Sequence, residues 1–160
     1  MFRIIRLLLI LLFLAGQASA DSPAGGDLTF QIVRTNGEQV LWESSAKPGD
    51  RFTINYRHSS DHTPVRDLFT IGVEGEIILI EESYRWYGAG LESHPDVGKI
   101  DFSGDWTRVR LYRSFDQFLL RIGRVANQVL TFQGRDVPLL SISKGGDSVW
   151  IRTTKNANRR

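Results

Sequence analysis

Apolar side chains recur at every second position in run after run of this 160-residue chain, and that period admits few folds. Leu28, Phe30 and Ile32 alternate with Thr29 and Gln31, and Phe52, Ile54 and Tyr56 alternate with Thr53, Asn55 and Arg57. Period two places one set of side chains on one face of a β-strand, whereas a helix needs a period near 3.6. Further short strand candidates run from Val40 to Trp42, Val65 to Val73, Ile77 to Ile80, Trp106 to Tyr112, Phe118 to Ile122, Val129 to Phe132, Val137 to Ile142 and Val149 to Ile151. Turn residues separate them: Asn36-Gly37 and Glu74-Gly75-Glu76 mark two hairpins, Pro48-Gly49-Asp50 a tight turn, and Gly104, Gly123, Gly134 and Gly145-Gly146 later breaks. Phe115, Phe118, Leu119 and Ile122 also fit a helical spacing, which leaves one helical turn there as an alternative. The pattern predicts an all-β chain, a single antiparallel β-sandwich or barrel-like domain of about nine short strands.

The first twenty residues stand apart from that domain. Arg3 and Arg6 flank an apolar run from Ile4 to Leu14, and Ala18-Ser19-Ala20 supplies small residues at the processing positions, so residues 1–20 read as a signal peptide cleaved before Asp21. The run is well short of the ~20 residues that a spanning helix needs. Leu14-Ala15-Gly16-Gln17 approaches a lipoprotein signal but ends on Gln17, which has no thiol to accept a lipid, so the expected location is the periplasm without a lipid anchor. Residues 21–27 form a small-residue leader, 28–153 the β domain, and 154–160 a solvated basic tail with Lys155, Arg159 and Arg160. Removing Arg3 and Arg6 leaves 18 basic residues against 18 acidic ones. No basic stripe with interleaved aromatics remains, and nucleic acid is not an expected partner. The absence of cysteine excludes thiol nucleophiles, disulfides and Cys-type zinc sites.

The richest chemistry lies between Tyr56 and Asp67, where His58, Ser59, Ser60, Asp61, His62, Thr63 and Asp67 surround Pro64. Strand parity points His58 inward and Ser59 outward, so His58 is not placed to activate Ser59. His58 is then either a core histidine satisfied by a backbone carbonyl or a functional group. No Gly-x-Ser-x-Gly elbow supports another serine such as Ser93. His58, Asp61, His62, Asp67 and His94 offer metal-ligand types without the spacing of a helical ligand pair. No catalytic residue, metal or cofactor is assigned. Tyr84-Arg85-Trp86-Tyr87 runs into Gly88-Ala89-Gly90-Leu91, a turn that lacks the following helix and Walker lysine of a phosphate loop. Arg57, Arg66 and Arg85, near these motifs, are able to receive a carboxylate.

Three blocks together resemble the bacterial family DUF1850, exported β domains of unknown function. They are Tyr56-Arg57-His58-Ser59 with Thr63-Pro64-Val65 and Asp67; Tyr87-Gly88-Ala89-Gly90-Leu91; and Arg121-Ile122-Gly123 with Ala126-Asn127 and Leu130, joined by the Lys47-Pro48-Gly49-Asp50 turn. The resemblance implies a genomic association with TRAP transporters of the TAXI type. It carries over no catalytic residue, and it sets His62 in the variable middle of the first block. The expected function is a non-enzymatic accessory or interaction domain whose partner is a TAXI-type solute-binding protein or a TRAP membrane subunit. A periplasmic module binding a small organic acid is the alternative, and a metal-dependent or serine hydrolase the second alternative. The expected site is a polar network of His58, Thr63 and Asp67 beside the Gly88 turn, with Ser59, Tyr87, Gly88, Gly90 and Asn127 completing the set.

Overall fold

A computed structural model of the chain describes residues 28–59, 62–85, 97–102 and 104–155. Within them lie β1 (Leu28–Arg34), β2 (Val40–Ala46), β3 (Arg51–Arg57), β4 (Pro64–Ile71), β5 (Ile77–Tyr84), β6 (Val97–Asp101), β7 (Thr107–Phe115), β8 (Gln117–Arg121), β9 (Val129–Phe132), β10 (Arg135–Pro138), the short helix α1 (Leu139–Ile142) and β11 (Ser148–Lys155). They form two antiparallel sheets: a small one in the order β2-β1-β11-β8 and a large one in the order β10-β9-β3-β4-β5-β7-β6. The sheets do not close on each other, so the all-β fold is sandwich-like and not a barrel. Among the described residues no helix is long and apolar enough to cross a membrane.

Among the described residues eleven strands appear where about nine are expected, for identifiable reasons. β6 escapes the sequence pattern because Gly98 and Lys99 interrupt its apolar residues, and its pairing with β7 shifts register between Val97 and Ile100. The run from Val137 to Ile142 divides at Pro138, which ends β10 and leads into α1 with φ −64. Leu139 N–H then donates to the Gln128 carbonyl at 2.9 Å. Between Phe115 and Ile122 the alternative of a helical turn gives way to two strands of different sheets, with Asp116 alone between them. β5 continues to Tyr84, well past Ile80, because Glu81, Glu82 and Ser83 keep pairing with both β4 and β7.

The inward face of the large sheet is laid out in cross-strand rows. One row runs Phe132, Phe52, Phe69, Leu79 from β9 to β5, and the next carries Ile71, Ile77 and Phe115. From the small sheet Phe30 meets this face with its ring 4.8 Å from Phe52 and 4.7 Å from Phe132. Phe52 stacks on Phe69 at 4.7 Å, and Phe118 of β8 packs on Phe69 at 5.0 Å. Ile32, Ile54, Leu130, Val149 and Ile151 complete a core that is closed to solvent. The sheets are also pinned at one end by Thr153, whose hydroxyl donates to the Gly75 carbonyl at 2.6 Å. Gly75 has φ +96, and a Cβ there would lie 2.5 Å from the Thr153 oxygen, so this turn requires glycine.

Phe30 is fully buried and touches both sheets, so Phe30→Ala removes area and leaves a cavity. The expected loss is about 3–5 kcal/mol in urea unfolding, with a lower midpoint and an unchanged slope.

Candidate functional site

The β3–β4 hairpin carries the first motif. Beyond the last strand pair, Arg57 with Pro64, the ladder continues as His58 N–H donates to the Thr63 carbonyl at 2.9 Å. His62 N–H closes the loop on the His58 carbonyl at 3.0 Å, with His62 at φ 58, and the Arg57 guanidinium donates to the His62 carbonyl at 3.3 Å. Pro64 is the first residue of a central strand, where its missing N–H costs least. His58 is half-buried and Ser59 exposed, both beyond the end of β3.

Asp67 belongs to a different row. Register places Tyr56, Val65, Tyr84 and Thr107 side by side, and below them Leu130, Ile54, Asp67, Glu82, Val109 and Ile100. Two carboxyl groups thus face each other directly across β4 and β5. Like charges in that position repel, and here both face inward between the main core and a smaller cluster of Val65, Tyr84 and Val109. Burial, and then the Glu82 carboxylate, push Asp67 up to about 8, although the Tyr56 hydroxyl bonds it and pulls the other way. The same burial, with Asp67 and Glu82 beside it, holds the Tyr56 hydroxyl well above the ordinary phenol range. Around neutral pH the row therefore keeps a proton on Asp67, and Tyr56 stays a donor.

Of the expected network, the backbone joins His58 to Thr63, while Asp67 is centred on Tyr56 and Glu82 one and two rows away. Tyr87, Gly88 and Gly90 lie outside the described residues, as does the turn expected to meet this network. Asn127 is exposed at φ 47, a left-handed position that asparagine tolerates better than most residues. It belongs to the crossing between β8 of the small sheet and β9 of the large one. There Gly123 has no room for a side chain, since a Cβ would lie 2.7 Å from that of Ala126. The Ala126 carbonyl accepts from Arg57 N–H at 2.8 Å, and buried Gln128 accepts from Gly123 N–H at 2.9 Å while donating to the Arg121 carbonyl at 3.2 Å. The third motif block is accordingly a crossing device. Gln128, its side-chain staple, was signalled only by a polar residue beside the apolar run that begins at Val129.

On the opposite face of the same strands a second polar row runs Asn55, Arg66, Ser83, Arg108, Asp101 across β3, β4, β5, β7 and β6. Arg66 Nε donates to Asn55 Oδ1 at 2.9 Å, and its guanidinium lies 5.7 Å from the centre of the Trp106 ring. Arg85 reaches the same ring at 5.7 Å. Ser83 lies beneath, only 5% exposed, its hydroxyl bonded to Glu81 Oε1 at 2.9 Å. Arg66, Glu81, Ser83, Trp106 and Arg108 enclose a recess of about 200 Å³. Sequence reading singles out Arg66 and Arg85 but misses Ser83, Trp106 and Arg108. The signal for them is the outward parity of polar residues on strands whose pairing has to be known first. Among the described residues no cluster of three or more histidine, aspartate or glutamate side chains is arranged to hold a metal ion.

A family profile described as a domain of unknown function, DUF1850, matches residues 52–139, more than half of the chain. The chain belongs to the DUF1850 family. No curated protein and no solved structure matches it. The DUF1850 segment runs from β3 to the first residue of α1. It contains both polar rows and the β8–β9 crossing, while β1, β2 and β11 of the small sheet lie outside it.

The inner row generates a pH dependence of definite sign. Unfolded, Asp67 ionises near 3.8; folded, it ionises near 8, so between these values the native state holds the extra proton and loses stability as pH rises. The expected slope is about 1.4 kcal/mol per pH unit at most, levelling above the folded value. Asp67→Asn abolishes this slope, which urea midpoints at about pH 5 and about pH 9 will read; equal slopes in both proteins would contradict the assignment.

Proposed function

We propose that this DUF1850 chain is an exported, non-enzymatic accessory domain of a TAXI-type TRAP uptake system, working in the periplasm after removal of residues 1–20. Its working face is the outer side of the large sheet. The observation that carries this reading is the set of Arg66, Arg85 and Arg108 gathered around Trp106 over buried Ser83. Arginine and tryptophan are the residue types that concentrate binding energy at recognition surfaces, because a planar guanidinium on an indole is held in place before a partner arrives. The other polar centre is better suited to holding the fold: Asp67 and Tyr56 face inward on the sandwich and satisfy each other. The TRAP partner itself is supported by the family resemblance.

The reading is tested by co-purification. Tagged protein is expected to retain a TAXI-type solute-binding protein or a TRAP membrane subunit, and Trp106→Ala is expected to reduce that recovery about tenfold without changing the melting curve, since loss of an aromatic anchor costs about 1–2 kcal/mol of binding. Recovery that is absent, or unaffected by Trp106→Ala, would overturn it.

A further inference from the structure

The outer row has the form of a clamp. Arg66 and Arg108 sit two strands apart, so their backbones are about 10 Å from each other, with Ser83 on the strand between them. A serine in the middle leaves the space above it open where a longer side chain would fill it. Arg66 is anchored through Nε to Asn55, which leaves the two Nη groups as its remaining donors. Arg66 and Arg85 share one indole, each 5.7 Å from its centre, and Arg108 lines the same recess. Two guanidinium groups thus line the recess with a third on the same indole, Glu81 is the one carboxylate lining it among the described residues, and Asp101 stands beside Arg108 on the next strand. The Glu81 carboxylate accepts the Ser83 hydroxyl at 2.9 Å and is held at the floor of the recess. Gathering like charges is unfavourable unless an anion arrives to pair with them.

We propose that the Arg66–Ser83–Arg108 recess is a binding site for a small dicarboxylate, an inference that rests on the outer face being the working face. Two guanidinium groups, Arg66 and Arg108, line the recess on separate strands with Arg85 across the Trp106 ring, and this spacing selects a ligand with an acid group at each end. Shape selects carboxylates over a tetrahedral anion: guanidinium forks pair with planar carboxylates through two parallel hydrogen bonds, and arginines rooted on different strands offer two separate forks. The flank of Trp106 supplies an apolar wall for the carbon chain between the acid groups. A recess of about 200 Å³ admits a skeleton of a few carbons and excludes larger ligands from full enclosure.

Calorimetric titration of the purified protein with succinate, propionate and inorganic phosphate tests the site. Succinate is expected to bind with Kd on the order of 0.1 mM at low salt, weakening as salt screens the pair, with propionate and phosphate each at least about tenfold weaker. Arg66→Gln and Arg108→Gln, both at exposed positions, are expected to weaken succinate about tenfold each with unchanged melting curves. Glu81→Gln, which removes the opposing charge, is expected to tighten it about threefold, a gain that general damage to the surface would not produce. No heat at about 10 mM succinate, equal affinity in Arg108→Gln, or phosphate binding tighter than succinate would overturn the proposal. Loss of succinate binding with retained partner capture would sink this site alone, and loss of partner capture with retained succinate binding would sink the accessory role alone.

Discussion

Phe30 packed against Phe52 and Phe132 is the contact on which the sandwich depends. No disulfide links the two antiparallel sheets in a chain without cysteine, so they are held face to face by what their inner faces bury. The aromatic row of the large sheet provides the broad apolar surface, and Phe30 and Phe118 of the small sheet fill it from above. The chain crosses between the sheets repeatedly, after β2, β7, β8 and α1, so the closure is woven and not merely stacked. Each crossing has its own local device: the Lys47 to Asp50 turn, Asp116 alone, the Gly123 to Gln128 loop, and Ser143 with Asp147. In the last, the Ser143 hydroxyl bonds the Asp147 carboxylate at 2.7 Å, and this bond is the main reason its acidity is enhanced.

With the core secured at the aromatic row, the same three strands carry different chemistry on their two faces. Arg66 and Asp67 are neighbours in sequence, as are Glu82 and Ser83, yet each pair is split between the faces by the pleat. Inward, Asp67 and Glu82 form a proton-holding seam that separates the main core from the smaller cluster and is satisfied through Tyr56. Outward, Arg66, Ser83 and Arg108 leave an open recess beneath Trp106. The inner row is closed on itself and specifies the fold; the outer row presents donors to whatever arrives.

The alternation of Phe52, Ile54 and Tyr56 made the strands legible. The motif blocks made the family legible before any geometry was known. What could not be read was the pairing. Arg66, Ser83 and Arg108 become neighbours only through the β4–β5 and β5–β7 registers, both of which contain an irregularity that shifts one strand against the other. A single such shift moves every later pair, so periodicity predicts that a residue faces outward but not which residue stands beside it. The same limit explains why sequence alone groups Asp67 with His58 and Thr63: the three share a parity in the hairpin, but Tyr56 and Val65 occupy the row between. β6 was hidden by its glycine and irregular pairing.

We propose that function resides in the outer arginine row while the inner acid row serves the fold. Solute uptake in cells that depend on this chain tests it most directly, with Arg108→Gln and Asp67→Asn compared at equal protein levels. Arg108→Gln is expected to lower uptake and Asp67→Asn to leave it intact at neutral pH. Normal uptake with Arg108→Gln, together with loss of uptake in Asp67→Asn, would contradict it.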